Sequence, residues 1–193
     1  MVQRKPSRRT PLEHRQGGCD AKPTWTTIAG YRYQLLERLS VPNRGRWQIR
    51  DPHPRPKGTI KTAIVLPDNA ESEQLRKCLM RLPKRRYGLS TIERWERKSG
   101  NLSMVLSWCE GTSVADYLER FRSVEKSPIS LYEAIRRVLC LARSLSVLHR
   151  HSRVIHGDIK PANLIIPSDP GSIGLIDFGS SWQIEKTATR LVG

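Results

Sequence analysis

The stretch His156 to Ile165, HGDIKPANLI, constrains this chain more than any other, together with IGLIDFG at Ile173 to Gly179. Short apolar runs flank the first segment: Val154-Ile155 before it and Leu164-Ile165-Ile166 after the loop. Such runs, bounded by turn residues, read as buried strands. Pro167, Ser168, Asp169, Pro170 and Gly171 mark a tight reversal. The run Ile173 to Ile176 then returns as a second strand and delivers Asp177 at its end. Asp158, Asn163 and Asp177 are thereby presented from loops at strand ends, where a rigid scaffold places chemistry. Lys160 adds a positive charge two residues after Asp158. Hard oxygen ligands beside a cation suit Mg²⁺ and a phosphate.

At these residues the sequence resembles the protein kinases. Their catalytic loop, H-R-D-x-K-P-x-N in the serine/threonine branch, is followed by D-F-G. Here the residues are His156-Gly157-Asp158-Ile159-Lys160-Pro161-Ala162-Asn163, then Asp177-Phe178-Gly179, with eighteen residues between the two aspartates. The resemblance implies that Asp158 orients a substrate hydroxyl and accepts its proton. It implies that Lys160 steadies the transferred phosphoryl group, and that Asn163 and Asp177 hold Mg²⁺. His156 would brace the loop. Gly157 stands where most of the family has Arg, the partner of a phosphorylated activation-loop residue. HGD-x-x-x-x-N is also the pattern of aminoglycoside and choline kinases, which keeps a small-molecule phosphotransferase open. Lys160-Pro161 and Phe178-Gly179 favour the protein-kinase side.

The small lobe that the resemblance implies is less regular in sequence. Leu39 to Trp47 falls on the family's glycine-rich phosphate loop, of which Gly45 alone survives; Ser40 and Pro42 replace the first two glycines. Gly58 to Pro67 reads as a β-rich strand. Two registers of the V-A-I-K lysine compete there. In one, Lys61 contacts the α- and β-phosphates; in the other, Val65 replaces that lysine. Lys61 is the expected phosphate lysine, with an edge-strand lysine as the plainer reading. Asp68 to Leu82 reads as a helix capped by Asn69, and Glu73 is the glutamate expected to pair with the strand lysine. Met104 to Cys109 resembles the strand into the hinge, with Leu106 lining the adenine pocket.

Glu110-Gly111 ends that hinge, and Thr112 or Ser113 can cap the next helix. Ser127 to Arg150 has the clearest helical stripe, from Leu131 through Val138 to Leu148, opened by a Ser130 and Glu133 capping box. The resemblance makes it the long buried helix before the catalytic loop, with His149 as a packing residue.

Composition bounds the partners. Thirty-four Lys and Arg stand against eighteen Asp and Glu, a formal net charge of +16 in 193 residues. That favours anionic partners or a solvated basic surface. Charge alone points to nucleic acid, so it is not an expected partner. Cys19, Cys78, Cys109 and Cys140 show no metal spacing. Reduced thiols fit a cytoplasmic setting. No apolar run approaches a membrane span and no signal-peptide core opens the sequence.

The expected fold is α+β and protein-kinase-like, with an antiparallel small lobe and a partial, mainly helical large lobe. Residues 1–28 are expected to be a basic disordered tail, and residues 29–193 the domain, divided near residue 109. No A-P-E motif follows Gly179, so the domain is expected to be incomplete: a fragment, a truncated reading frame or one part of a split protein. The expected activity is Mg-ATP-dependent phosphorylation of protein serine or threonine, with ATP and a protein hydroxyl as partners. A nucleotide-binding pseudokinase is the non-enzyme alternative, motivated by the poor glycine loop and the ambiguous lysine.

Overall fold

The computed structural model describes residues 23–39, 45–53, 58–83, 88–123, 129–169 and 171–184. Ser40, Pro42, the basic cluster Lys84-Arg85-Arg86, Thr187 and Thr189 lie outside them, as does residues 1–22 of the expected tail. The folded chain starts upstream of the expected boundary. Trp25–Ile28 is a strand, β1, paired antiparallel with β2 (Tyr31–Arg38). It is fixed by burying Ile28 beside Tyr33.

β3 (Gly45–Asp51), β4 (Thr59–Pro67), β5 (Ile92–Lys98) and β6 (Asn101–Ser107) complete a six-stranded antiparallel sheet in the order β1-β2-β3-β4-β6-β5. Both of its faces are covered. Ile28, Tyr33, Ile49, Ala63 and Val105 form an outer core. Ile64, Leu102, Met104 and Leu106 face inward against Leu75 and Leu79 of helix α1 (Ala70–Met80). Each fully buried aliphatic side chain here contributes roughly 1.5–3 kcal/mol. Asn69 caps α1 by accepting from the Ser72 amide at 2.9 Å, and Ser72 returns the contact, closing a capping box.

Below the sheet, β7 (Thr112–Ser113) leads into α2 (Val114–Ser123), whose first turn is capped where the Asp116 amide donates to Ser113 Oγ at 3.0 Å. Helix α3 spans Leu131–Val147, with Ser130 accepting from the Glu133 amide. The expected reciprocal contact is absent, because the Glu133 carboxylate is taken by Arg137. α3 is also not a buried helix. Leu131 is 77% and Val138 65% exposed, while Arg137 and Ser144 lie on its buried side. No described residue covers that apolar stripe. The helix runs into a π turn at Leu148–Ser152, where Leu148 is buried but His149 is exposed rather than packed.

The chain then threads β8 (Val154–Ile155), β9 (Leu164–Ile166), β10 (Gly174–Leu175) and β11 (Trp182–Gln183). β9 and β10 form the expected hairpin, extended by β7, while β8 pairs with β11. These short ladders bring the loop carrying Asp158 and the turn carrying Asp177 to the same end of the β9–β10 hairpin. No helix among the described residues is long and apolar enough to cross a membrane.

Candidate active site

A cavity of about 460 Å³ lies between the sheet and the lower elements, within the range of small-ligand sites. Its apolar walls include Ile64, Leu75, Leu79, Leu106 and Ile165, and Trp108 and Cys109 stand at the hinge. Leu106 is where the sequence places it. Burial pushes the Cys109 thiol up, so it is an inert lining group rather than a nucleophile. Polar atoms converge at one end, from Arg46, Asn163 and Asp177.

The Asp158 loop is braced from beneath. His156 is buried, donates through Nε2 to the Ile176 carbonyl at 2.9 Å, and accepts at Nδ1 from the Asp158 amide at 3.3 Å. Those two bonds fix one neutral tautomer. Burial holds the imidazole below its ordinary pKa. Phe178 packs edge-on against the ring at 4.6 Å, tying the loop to the Asp177 turn.

Above this brace three of the motif residues, Asp158, Lys160 and Asn163, meet. Lys160 Nζ donates to Asp158 Oδ2 at 2.6 Å. The Asn163 amide nitrogen donates to the Asp158 carbonyl at 2.9 Å and to its Oδ2 at 3.0 Å. The Lys160 ammonium, seconded by Asn163, holds the Asp158 carboxyl below the usual carboxylate range, so it is ionised and able to accept a proton at neutral pH. With its nitrogen committed to Asp158, Asn163 has its side-chain oxygen to offer a cation. Asp177 adopts left-handed backbone at φ 64°, a conformation costly for a residue with a Cβ and a mark of functional sites. The donor set therefore fits a hard divalent cation, held by Asn163 and Asp177 and completed by oxygens of a bound phosphate. Among the described residues no cluster of three or more His, Cys, Asp or Glu is grouped to hold a metal ion.

Gly157 has a backbone reason. Its φ is +81°, and a Cβ there would lie 2.2 Å from the Ser180 carbonyl oxygen and 2.6 Å from the Trp182 ring. No Arg fits that conformation without displacing β11. The glycine thus has a packing reason of its own.

Three small-lobe expectations change. Lys61 is not in the cavity. It lies on the outer face with Ala63, 7% exposed, and its Nζ is 2.5 Å from Glu93 Oε2. Because strand side chains alternate, Thr62 and Ile64 are the inward residues of β4. Val65 is likewise on the outward face, so neither register places its residue in the cavity. Glu73 does not reach Lys61: it receives Arg76 and Arg97 at 2.8 and 2.9 Å, and Leu75 and Leu79 take the inward face of α1. The Arg76 contact first, then Arg97 and Lys77, lower the Glu73 pKa to about 2. Gly45 opens β3 opposite Val65, where a Cβ would meet the Val65 carbonyl oxygen at 2.8 Å. Close strand packing requires a glycine there, whatever the preceding loop does.

Arg46 is the residue that sequence reasoning missed. It lines the cavity, and its Nη2 is 2.6 Å from Asp177 Oδ1. The signal was present: Trp47 and Ile49 face the outer core, so Arg46 must point the other way.

Comparison with known proteins gives the family. The model of the protein kinase domain matches residues 69–193. The chain is 38% identical over 91 residues to mitogen-activated protein kinase kinase 2 of Arabidopsis thaliana, covering 47% of this chain and 23% of that protein. It is 28% identical over 94 residues to the human lymphokine-activated killer T-cell-originated protein kinase, covering 49% and 29%. It is 38% identical over 63 residues to the serine/threonine-protein kinase RIM11/MSD1 of Saccharomyces cerevisiae, covering 33% and 17%. The matched stretch thus spans less than a third of each relative's length. With a family match over well more than half its length, this chain belongs to the protein kinase family.

Proposed function

We propose that this chain binds Mg-ATP in the cavity and transfers the terminal phosphoryl group to a protein serine or threonine hydroxyl. The observation that carries the reading is the Asp158 cluster: a carboxylate held ionised by Lys160 at 2.6 Å and oriented by Asn163 at 3.0 Å. Asp158 positions the acceptor hydroxyl and takes its proton as the oxygen attacks the terminal phosphorus and the bond from that phosphorus to the bridging oxygen breaks, releasing ADP. Lys160, already beside that carboxylate, offsets negative charge on the group in transit. Asn163 and Asp177 would hold Mg²⁺, which when bound neutralises phosphate charge. Leu106, Ile165 and Trp108 offer the apolar walls that an adenine ring needs. The similar proteins named above are protein kinases, which supports a protein acceptor.

A second reading, nucleotide binding without transfer, is favoured by the inward face of the small lobe. Ile64 and Leu75 stand there without a lysine–glutamate pair. The test is transfer of labelled terminal phosphate from ATP to a basic protein, a neutral serine peptide and an aminoglycoside in parallel. Labelling of protein or peptide supports the first reading. Labelling of the aminoglycoside alone moves the assignment to small-molecule kinases. ATP binding with no transfer leaves the second reading.

A further inference from the structure

We propose that Arg46, from β3, is the side chain that neutralises the nucleotide's phosphates, in place of a lysine on β4. The inference rests on the reading that the cavity takes Mg-ATP. Arg46 is the only Lys or Arg among the described residues lining the cavity. In the β3–β4 ladder it stands directly across from Ile64, the inward residue of β4. The positive charge has thus moved one strand sideways, to the same face and the same level of the sheet. It points at the polar end, with Nη2 2.6 Å from Asp177 Oδ1.

The other nearby cations are committed elsewhere. Lys61 is on the far face, held by Glu93. A one-residue slip of β4 would bring it inward, but would expel Ala63 from the outer core and turn Ile64 out of the inner one. Lys160 is bound to Asp158. Leu75 and Leu79 give the inward face of α1 no carboxylate to compete for the guanidinium. Arg46 also suits the task chemically. Its planar fork donates several N–H groups in a geometry that matches phosphate oxygens. Asp177 Oδ1 holds one arm of that fork.

The test compares dissociation constants for ATP and adenosine, both with Mg²⁺, in wild type, Arg46→Gln, Arg46→Lys and Lys61→Met. Arg46→Gln should weaken ATP binding roughly 10- to 100-fold, the worth of a charge-assisted hydrogen bond. Adenosine should change by less than about 2-fold, which also checks that the variant folds. Arg46→Lys should recover part of the loss, and Lys61→Met should bind ATP like wild type. Equal losses for ATP and adenosine, unchanged or tighter ATP binding by Arg46→Gln, or a selective ATP loss in Lys61→Met would overturn the Arg46 assignment alone. A wild-type chain that binds neither compound would overturn the Mg-ATP reading, and this inference with it.

Discussion

Lys61 Nζ lies 2.5 Å from Glu93 Oε2, on the side of the sheet turned away from the cavity. The pair joins β4 to the start of β5 and lets a lysine sit nearly buried beside the outer core. Removing one partner of such a pair costs far more than replacing both, because a buried charge is left behind. Glu93→Gln should therefore destabilise the fold by about 2 kcal/mol, less than for a fully buried pair because the carboxylate is 34% exposed. Lys61→Met/Glu93→Gln should recover most of that loss. Urea unfolding of both variants checks this; equal stability of the single and double variants would remove the pair from the account.

Gly157 should tolerate no side chain. Gly157→Ala meets both a left-handed backbone and the Ser180 carbonyl oxygen, and should cost about 3 kcal/mol. Gly157→Arg should be at least as unstable, and should gain no phosphorylation-dependent switch. Thermal unfolding of Gly157→Ala within a degree or two of wild type would contradict the backbone reading.

His156 makes stability depend on pH. Its folded pKa lies below the ordinary 6.5 because it is buried. The unfolded chain then binds more protons at mildly acidic pH, so stability rises with pH toward 6.5 and is lost as pH falls below it. Denaturation midpoints measured from about pH 8 to about pH 5 should decline on the acid side. His156→Gln, whose amide can still donate to the Ile176 carbonyl, should flatten that decline. An equally steep decline in the variant would assign it to other groups.

The large-lobe half of this geometry was legible in the sequence. HGDIKPAN and DFG fix spacing, and the apolar runs beside them could fold only as short paired strands. α1 was legible from its Asn69 cap. Facing was not legible on β4. A strand shows its orientation when one face is polar and one apolar. Here Ile28 and Tyr33, from β1 and β2, help build a second core on the outer face of the sheet, so Ala63 and Ile64 are both buried, and Lys61 is nearly buried in its salt bridge. Alternation along 59–67 therefore carried no sign, and both registers turned the odd-numbered residues inward. Glu73 was misplaced for a related reason. An acid in the first turn of a helix satisfies the helix dipole anywhere on its circumference, and Arg76 and Arg97 drew it toward β5.

Asp158 provides the catalytic prediction. Asp158→Asn should leave ATP affinity almost unchanged and lower phosphoryl transfer by roughly 10²–10⁴, the usual contribution of a positioned base. Lys160 holds the carboxyl below its ordinary range, so the rate should not fall on mild acidification through loss of this base. Single-turnover kinetics of wild type and variant, alongside ATP titrations, separate the two effects. A rate within about 3-fold of wild type would remove Asp158 from the chemistry.

The central claim is that Asn163 and Asp177, meeting at one end of the cavity, make a site for a cation that arrives with ATP. Calorimetric titration of wild type and Asp177→Ala with ATP, in Mg²⁺ and in EDTA, tests it most directly. The wild-type chain should bind ATP more tightly in Mg²⁺ by at least about 10-fold, a difference of about 1.4 kcal/mol. Asp177→Ala should lose that difference. Equal wild-type affinity with and without the metal would contradict the claim.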